Sequence, residues 1–338
     1  MSIQLRELRL PEDYTALAAL LNTDWSEPTT AEQLEEEDAK LYKVGHTYKD
    51  EEGRLAGYDR SRRVAVTPKG EIVGYVTTWR APWTAPGHLN QTLLVDVNSR
   101  KQGVGQLLLH HALEWSRLLG ADTLVTQTWD DSPESLRFAE RNGFAAERHT
   151  FQSVVEIGKV DWGAIGGEEA IRSIQQKGLR FTTLAEEQGT DSEQKIYEIY
   201  KQTLVDIPGF TGEVPVIEEW RKWYLQSDGY APERVIIVAD GDTYVGVSNV
   251  LYNPQTNGMY HEYTGVSRDY RSRGIAYGLK VQAILLARQQ GAAYIRTDND
   301  STNAPILHIN RRLGYEPLRG SYRMVGEVQS ILQEQQAL

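Results

Sequence analysis

The sequence predicts a mixed α/β fold that occurs twice in one chain, and three observations predict it. Arg100 and Arg271, Gly103 and Gly274, Gly120 and Gly291, and Gly143 and Gly314 are each 171 residues apart. β-Branched runs ended by glycine turns alternate with stretches of helical periodicity, the mark of strands and helices sharing a core. A glycine-rich turn stands at the same place in both repeats, where a strand passes into a long amphipathic helix. The period far exceeds the roughly 20 to 50 residues of solenoids and propeller blades, so each copy is expected to be a domain with its own core.

In the first copy, 64–67 reads as a strand, Lys69-Gly70 as a turn and 72–79 as the returning strand. Residues 92–97 form the next strand, 103–119 a helix closed by Gly120, 123–127 a strand, and 133–142 a helix closed by Gly143. The acidic run Glu35 to Asp38 reads as the solvated face of an earlier helix. Domain boundaries are expected at 1–157 and 178–338. The glycine-rich stretch beginning at Lys159 and a short polar helix from Glu168 to Gln176 form a linker over 158–177.

In the second copy, 191–205 and 217–225 have helical character, and 235–238 is a β-branched run ended by Asp240-Gly241-Asp242. Strands follow at 245–251 and 260–267, then a helix over 274–290, a strand at 294–297, a helix over 303–313 and a last strand from about Tyr315. The class is α/β with a mixed sheet in each copy, flanked by helices.

Composition excludes several functions. The chain has 338 residues, with 36 Lys+Arg against 47 Asp+Glu and a net charge of −11, which argues against nucleic acid as the main partner. It contains no Cys, which removes disulfides, thiolate-bound zinc, iron–sulfur clusters and a thiol nucleophile. His110-His111 on the first long helix shows no metal-ligand spacing, and no metal is expected. The first residues lack an apolar signal core, and no stretch approaches the roughly 18 apolar residues of a membrane span. A cytoplasmic protein without a membrane partner is expected.

The repeated turn carries chemistry. It reads Arg100-Lys101-Gln102-Gly103-Val104-Gly105 in one copy and Arg271-Ser272-Arg273-Gly274-Ile275-Ala276 in the other. Small residues let the backbone turn tightly, and the free N–H groups at a helix start favour phosphate. No Gly-Lys-Ser/Thr ending makes this a Walker loop, and no third glycine with a following acid makes it a dinucleotide fingerprint.

On these residues the sequence resembles the GNAT superfamily of acetyl-CoA-dependent N-acetyltransferases, whose acyl-CoA loop is Q/R-x-x-G-x-G/A. The resemblance covers both halves, as in tandem GNAT proteins, and includes the segment from Asn303 to Leu313-Gly314-Tyr315. It implies a splayed strand pair in each sheet, with pantetheine between the strands and pyrophosphate on the loop amides. It implies that acetyl-CoA meets Arg271, Ser272, Arg273, Gly274, Ile275 and Ala276, that its arm pairs at Gly265 and Val266, and that Asn303 lies beside it. A weaker second site would use Val95, Val97, Arg100, Gly103, Val104 and Gly105, with Ser132 in place of Asn303.

Transfer to an amine needs a general base near the thioester carbon. On the strand before the second loop, period-2 alternation puts Tyr260, Glu262 and Thr264 on one face and His261 and Tyr263 on the other. Glu262 is the base expected. Its counterpart is Gln91, which cannot accept a proton at neutral pH, so the first copy reads as catalytically blunted. The family's tyrosine acid is replaced by Asn310 and Ala139; Tyr263, Tyr315 and Tyr322 remain as alternatives, and none is assigned. Trp79, Trp83, Trp220, Trp223 and Tyr224 form either an acceptor wall or core. The expected activity is direct acetyl transfer to a primary amine of a small molecule or peptide. A non-catalytic acyl-CoA sensor or scaffold is the alternative, and a tRNA-using aminoacyl transferase is disfavoured by charge.

Overall fold

A computed structural model describes residues 3–25, 28–187, 189–210 and 213–337. The chain divides into two compact units. The first begins with β1 (Gln4–Glu7), α1 (Tyr14–Leu21), α2 (Ala31–Lys40), β2 (His46–Lys49), β3 (Leu55–Val66) and β4 (Ile72–Arg80). It continues with β5 (His88–Val95), α3 (Val104–Leu119), β6 (Thr123–Trp129) and α4 (Pro133–Arg141). Its sheet runs β1-β3-β4-β5-β6, with β2 paired to β3. The β5–β6 pair is parallel.

The second unit holds most of β7 (Ala145–Glu156), then α5 (Gly167–Gln176), β8 (Arg180–Thr183), α6 (Thr190–Leu204) and α7 (Ile217–Tyr224). Next come β9 (Val235–Asp240), β10 (Thr243–Asn253), β11 (Gly258–Val266), α8 (Ile275–Gln289), β12 (Tyr294–Asp300) and α9 (Ala304–Arg312). Its strands are ordered β7-β12-β11-β10-β9-β8. The chain ends in β13 (Glu316–Glu327) and α10 (Val328–Ala337).

The helices dock where the apolar stripes predict. Leu108, Leu109, Ala112 and Leu113 of α3 meet Val76, Leu89 and Leu124 of the first sheet. In the second unit, Leu279, Ala283, Ile284 and Ala287 of α8 meet Val238, Val245 and Ile295. The other face of that sheet buries Val235, Ile237 and Val247 against Tyr200 of α6 and Trp220 of α7. Both faces are therefore covered, which is why 235–238 is an unbroken β-branched run rather than an alternating one. Trp220 is 2% exposed, so it belongs to this core and not to an acceptor wall.

The units part elsewhere than the sequence boundaries. Residues 149–157 belong to the second unit, where β7 lies antiparallel to β12 from Thr150/Asp300 to Glu156/Tyr294. The expected linker is packed structure: Ile165 and Ile174 join the second core. Residues 321–338 return to the first unit, where Ser321–Glu327 of β13 pair with β6, and Met324, Val328, Ile331 and Leu332 enter the first core. β7 and β13 are the same element of the two repeats, twelve residues long at equivalent positions. Each copy's last strand thus completes the other copy's sheet.

Candidate active site

Both units open their sheet at one place. In the second, β11 and β12 pair in parallel from Gly258/Tyr294 to Tyr260/Arg296, and among the described residues Glu262 to Val266 of β11 pair with no strand on that side. In the first, β5 and β6 pair only from His88/Thr123 to Gln91/Thr126. The splayed pair implied by the family resemblance is present in both.

The loops that follow share one backbone. Arg100 and Arg271 have φ of −67° and −66°, and Gly103 and Gly274 have φ of 83° and 82°. Lys101 and Ser272 both stand at φ 60°, a left-handed conformation that is uncommon for residues with a Cβ and marks a shape worth keeping. A Cβ on either glycine would meet nothing within 4 Å, so backbone conformation, not space, requires glycine there. Each loop arginine donates from Nε to the last carbonyl of its strand, Arg100 to Val95 and Arg271 to Val266, both at 3.2 Å. The first amides of α3 and α8 have no acceptor within their own helix, and such groups at a helix start favour phosphate oxygens.

Charge around the second loop is stronger. Arg271 and Arg268 share the carboxylate of Asp206, each at 2.6 Å, and the two guanidinium groups hold its pKa down at about 2. Arg273 lies over the ring of Tyr270, 4.5 Å from its centroid. Gly265 is buried, and a Cβ there would collide with the Tyr263 hydroxyl. Ile275 is core, Ala276 and Val266 are half-buried, and Asn303 stands at the N-cap position of α9, just after β12, without a capping hydrogen bond from its side chain.

Glu262 lies where the strands part, on a bulge. Asn249 of β10 faces Tyr263 and Val250 faces His261, so Glu262 is the extra residue of β11. Its side chain is half-buried, and burial, aided by the charge of Asp298, raises its pKa from 4.5 to about 7. Asp298 sits on β12 and accepts a hydrogen bond of 2.7 Å from the Tyr260 hydroxyl. Sequence reasoning missed Asp298, although its place on the alternating strand 294–300 was the available signal.

The bulge also overturns the strict alternation expected along β11. His261 and Thr264 fall on the same side, with His261 Nε2 meeting Thr264 Oγ1 at 2.8 Å and also Ser248 Oγ of β10. Burial drives the His261 pKa well below its ordinary value. His261 is thus a buried hydrogen-bonding residue that ties β11 to β10. Of the tyrosines left open as acids, Tyr322 belongs to the first unit. Tyr315 is core, 4% exposed, and Tyr263 bonds to Thr203.

The first unit carries a cavity of about 770 Å³ along its splayed strands, bordered by Val95, Arg100, Gly103, Gly105, Thr126 and Phe138. Of the residues expected in that site, Val97 is 64% exposed on the turn after β5, and the Val104 side chain is 1% exposed in the core, as that of Ile275 is in the second unit. Gln91 also borders the cavity, in a regular ladder facing Thr78 without a bulge. Among the described residues, no group of three or more His, Cys, Asp or Glu gathers as a metal site, and no helix is long and apolar enough to cross a membrane.

Comparison with known proteins follows the same lines. The sequence model of the acetyltransferase (GNAT) family matches residues 16–144 and 194–315. A GCN5-related N-acetyltransferase from Sphaerobacter thermophilus aligns with a TM-score of 0.69 at 19% identity, over 96% of both chains. A tandem GNAT protein from the clavulanic acid biosynthesis pathway aligns with a TM-score of 0.70 at 15% identity, over 97% of this chain and 99% of the other. A fungal multi-domain β-N-acetylglucosaminidase with a GCN5-related glucosamine N-acetyltransferase region aligns at 0.69 and 16% identity, over 96% of this chain and 38% of that one. No curated protein matches the sequence. Because the family match falls once in each repeat and the fold matches extend end to end, the chain belongs to the GNAT acetyltransferase family and carries its fold twice.

Proposed function

We propose that the C-terminal copy transfers an acetyl group from acetyl-CoA directly to a primary amine of a small molecule or peptide, with Glu262 as general base. The observation that carries this reading is Glu262 itself: a carboxylate with a pKa raised to about 7, on a bulge where β11 leaves β12. A base with that pKa is half ionised near neutrality and can still hold a proton taken from an ammonium or attacking amine.

The loop amides from Arg271 to Ala276 fit a pyrophosphate, and the unpaired edge of β11 at Gly265 and Val266 fits the amides of a pantetheine arm, with Asn303 at its side. Acetyl-CoA supplies the activated acyl carbon. As the amine nitrogen bonds to that carbon, Glu262 takes the nitrogen's proton, directly or through a water, and the carbon–sulfur bond breaks to release the thiolate. With no Cys in the chain, no thioester to the protein intervenes.

In the N-terminal copy, the cavity beside Val95, Arg100, Gly103 and Gly105 supports a second acyl-CoA site, and Gln91 supports binding without turnover there. A purely non-catalytic sensor is the competing reading. The test is release of free CoA, read with a thiol reagent against which a Cys-free protein gives no background, across a panel of primary amines. Turnover that falls by about 10²- to 10⁴-fold in Glu262→Gln, with acetyl-CoA binding retained, supports the enzyme reading. Binding without turnover of any amine supports the sensor.

A further inference from the structure

Beyond the cofactor cleft of the first unit lies a second, smaller cavity of about 340 Å³. The two share Asp24, Gln91, Thr126 and Trp129 on their walls, so they adjoin where β5 and β6 part. Three indoles border the smaller one: Trp25 from the segment after α1, Trp79 near the end of β4, and Trp129 at the end of β6. The Trp129 indole N–H donates to Asp24 at 2.6 Å, which fixes the carboxylate at the edge of that ring, on the wall of the same cavity. Arg323 also borders the cavity, and its guanidinium is bridged to Glu147 at 2.9 Å.

Single tryptophans at a surface need no explanation. Three on one cavity together with a carboxylate are a different case, because indole faces attract cations through their quadrupole and a nearby carboxylate adds charge to the same end. The second unit is not built this way at the corresponding place: Trp220 is core, and tyrosines surround Glu262.

We propose that the N-terminal copy holds its own ligand site for an ammonium group, formed by Trp25, Trp79, Trp129 and Asp24 and adjoining its acyl-CoA cleft. An amine is protonated at neutral pH, so this copy can take up such a molecule while Gln91 supplies no base to consume it. The site thus reads the amine rather than acetylating it. This inference stands apart from the catalytic role of Glu262.

The test uses the full-length protein, calorimetric titration with choline, and titration with neohexanol, its uncharged carbon isostere. Choline is expected to bind at one saturable site, with neohexanol on the order of tenfold weaker or worse. Asp24→Asn, which keeps an oxygen for the Trp129 indole, and Trp79→Leu should each weaken choline by about tenfold, and Glu262→Gln should leave it unchanged. Equal binding of choline and neohexanol, wild-type affinity in Asp24→Asn, or loss of the site in Glu262→Gln would each overturn the proposal. Circular dichroism of each variant separates lost binding from lost fold.

Discussion

Glu262 and Gln91 occupy the same position of the two repeats on different backbones. Gln91 faces Thr78 in an uninterrupted ladder, whereas Glu262 is passed over between Asn249 and Val250 and pushed out of register. Sequence identity at this position is therefore only half of the difference between the copies. Gln91→Glu is expected to leave the first copy without turnover, measured in a Glu262→Gln background by CoA release. Restored activity there would show that the bulge is dispensable.

The protonation of Glu262 sets a pH profile. Its pKa is raised, so the base form is lost as pH falls, and kcat/KM should climb through about pH 7 and level off above it. Burial is the larger cause and Asp298 the smaller. Asp298→Asn should move the rise to lower pH without abolishing it. An unmoved profile would remove Asp298 from the site's electrostatics.

His261 fixes the strand that carries Glu262, through Ser248 on β10 and Thr264 on β11. The first copy has Asn90 in its place and no bulge. His261→Asn is expected to lower kcat by about 10- to 100-fold through misplacement of the base, with KM for acetyl-CoA nearly unchanged. A rise in KM with intact kcat would place His261 in cofactor binding instead.

The two loop glycines should separate folding from function. Gly274→Ala and Gly103→Ala each force a Cβ into a left-handed backbone at a cost of about 1–2 kcal/mol, visible as similar losses in unfolding midpoint. Only Gly274→Ala should raise KM for acetyl-CoA. Equal kinetic effects would assign turnover to both copies.

Lys280, 1% exposed on α8 with its ammonium 5.1 Å from the centre of the Tyr315 ring, stands where the first copy has Leu109. Burial lowers its pKa from 10.5 to about 7. The unfolded chain holds this proton up to about 10.5 and the folded one releases it near 7, so stability should rise with pH between those values. Lys280→Leu should flatten that dependence and stabilise the fold at pH 6 by something on the order of 2 kcal/mol in denaturant titration. A destabilised variant would mean that the ammonium has a stronger native partner than the tyrosine ring.

The duplication, the α/β class and the long helices were legible because Gly103, Gly120, Gly274 and Gly291 end or begin elements through backbone conformations that few other residues adopt. Glu262 was legible from its place before the second loop. Its bulge was not, because an extra residue in one strand is defined by the partner strand. The strand pairing of β7 and β13 was hidden for a related reason: equivalent strands of a repeat fit the same slot, and local pattern does not say which slot each one fills. The cavities depend on side chains from distant segments, such as Asp24 and Trp129, that no spacing rule connects.

The exchange of last strands also sets an order on synthesis. When the ribosome has made the whole first repeat, the sheet of that unit still lacks Ser321–Glu327, and its core still lacks Val328 and Ile331. The N-terminal unit is begun first and completed only after the second repeat is made, leaving the open edge of β6 to be guarded until β13 emerges. A chain severed between the repeats would leave each fragment holding a strand that belongs to the other, so the two halves are not separable parts, and a truncation meant to remove one would disable both.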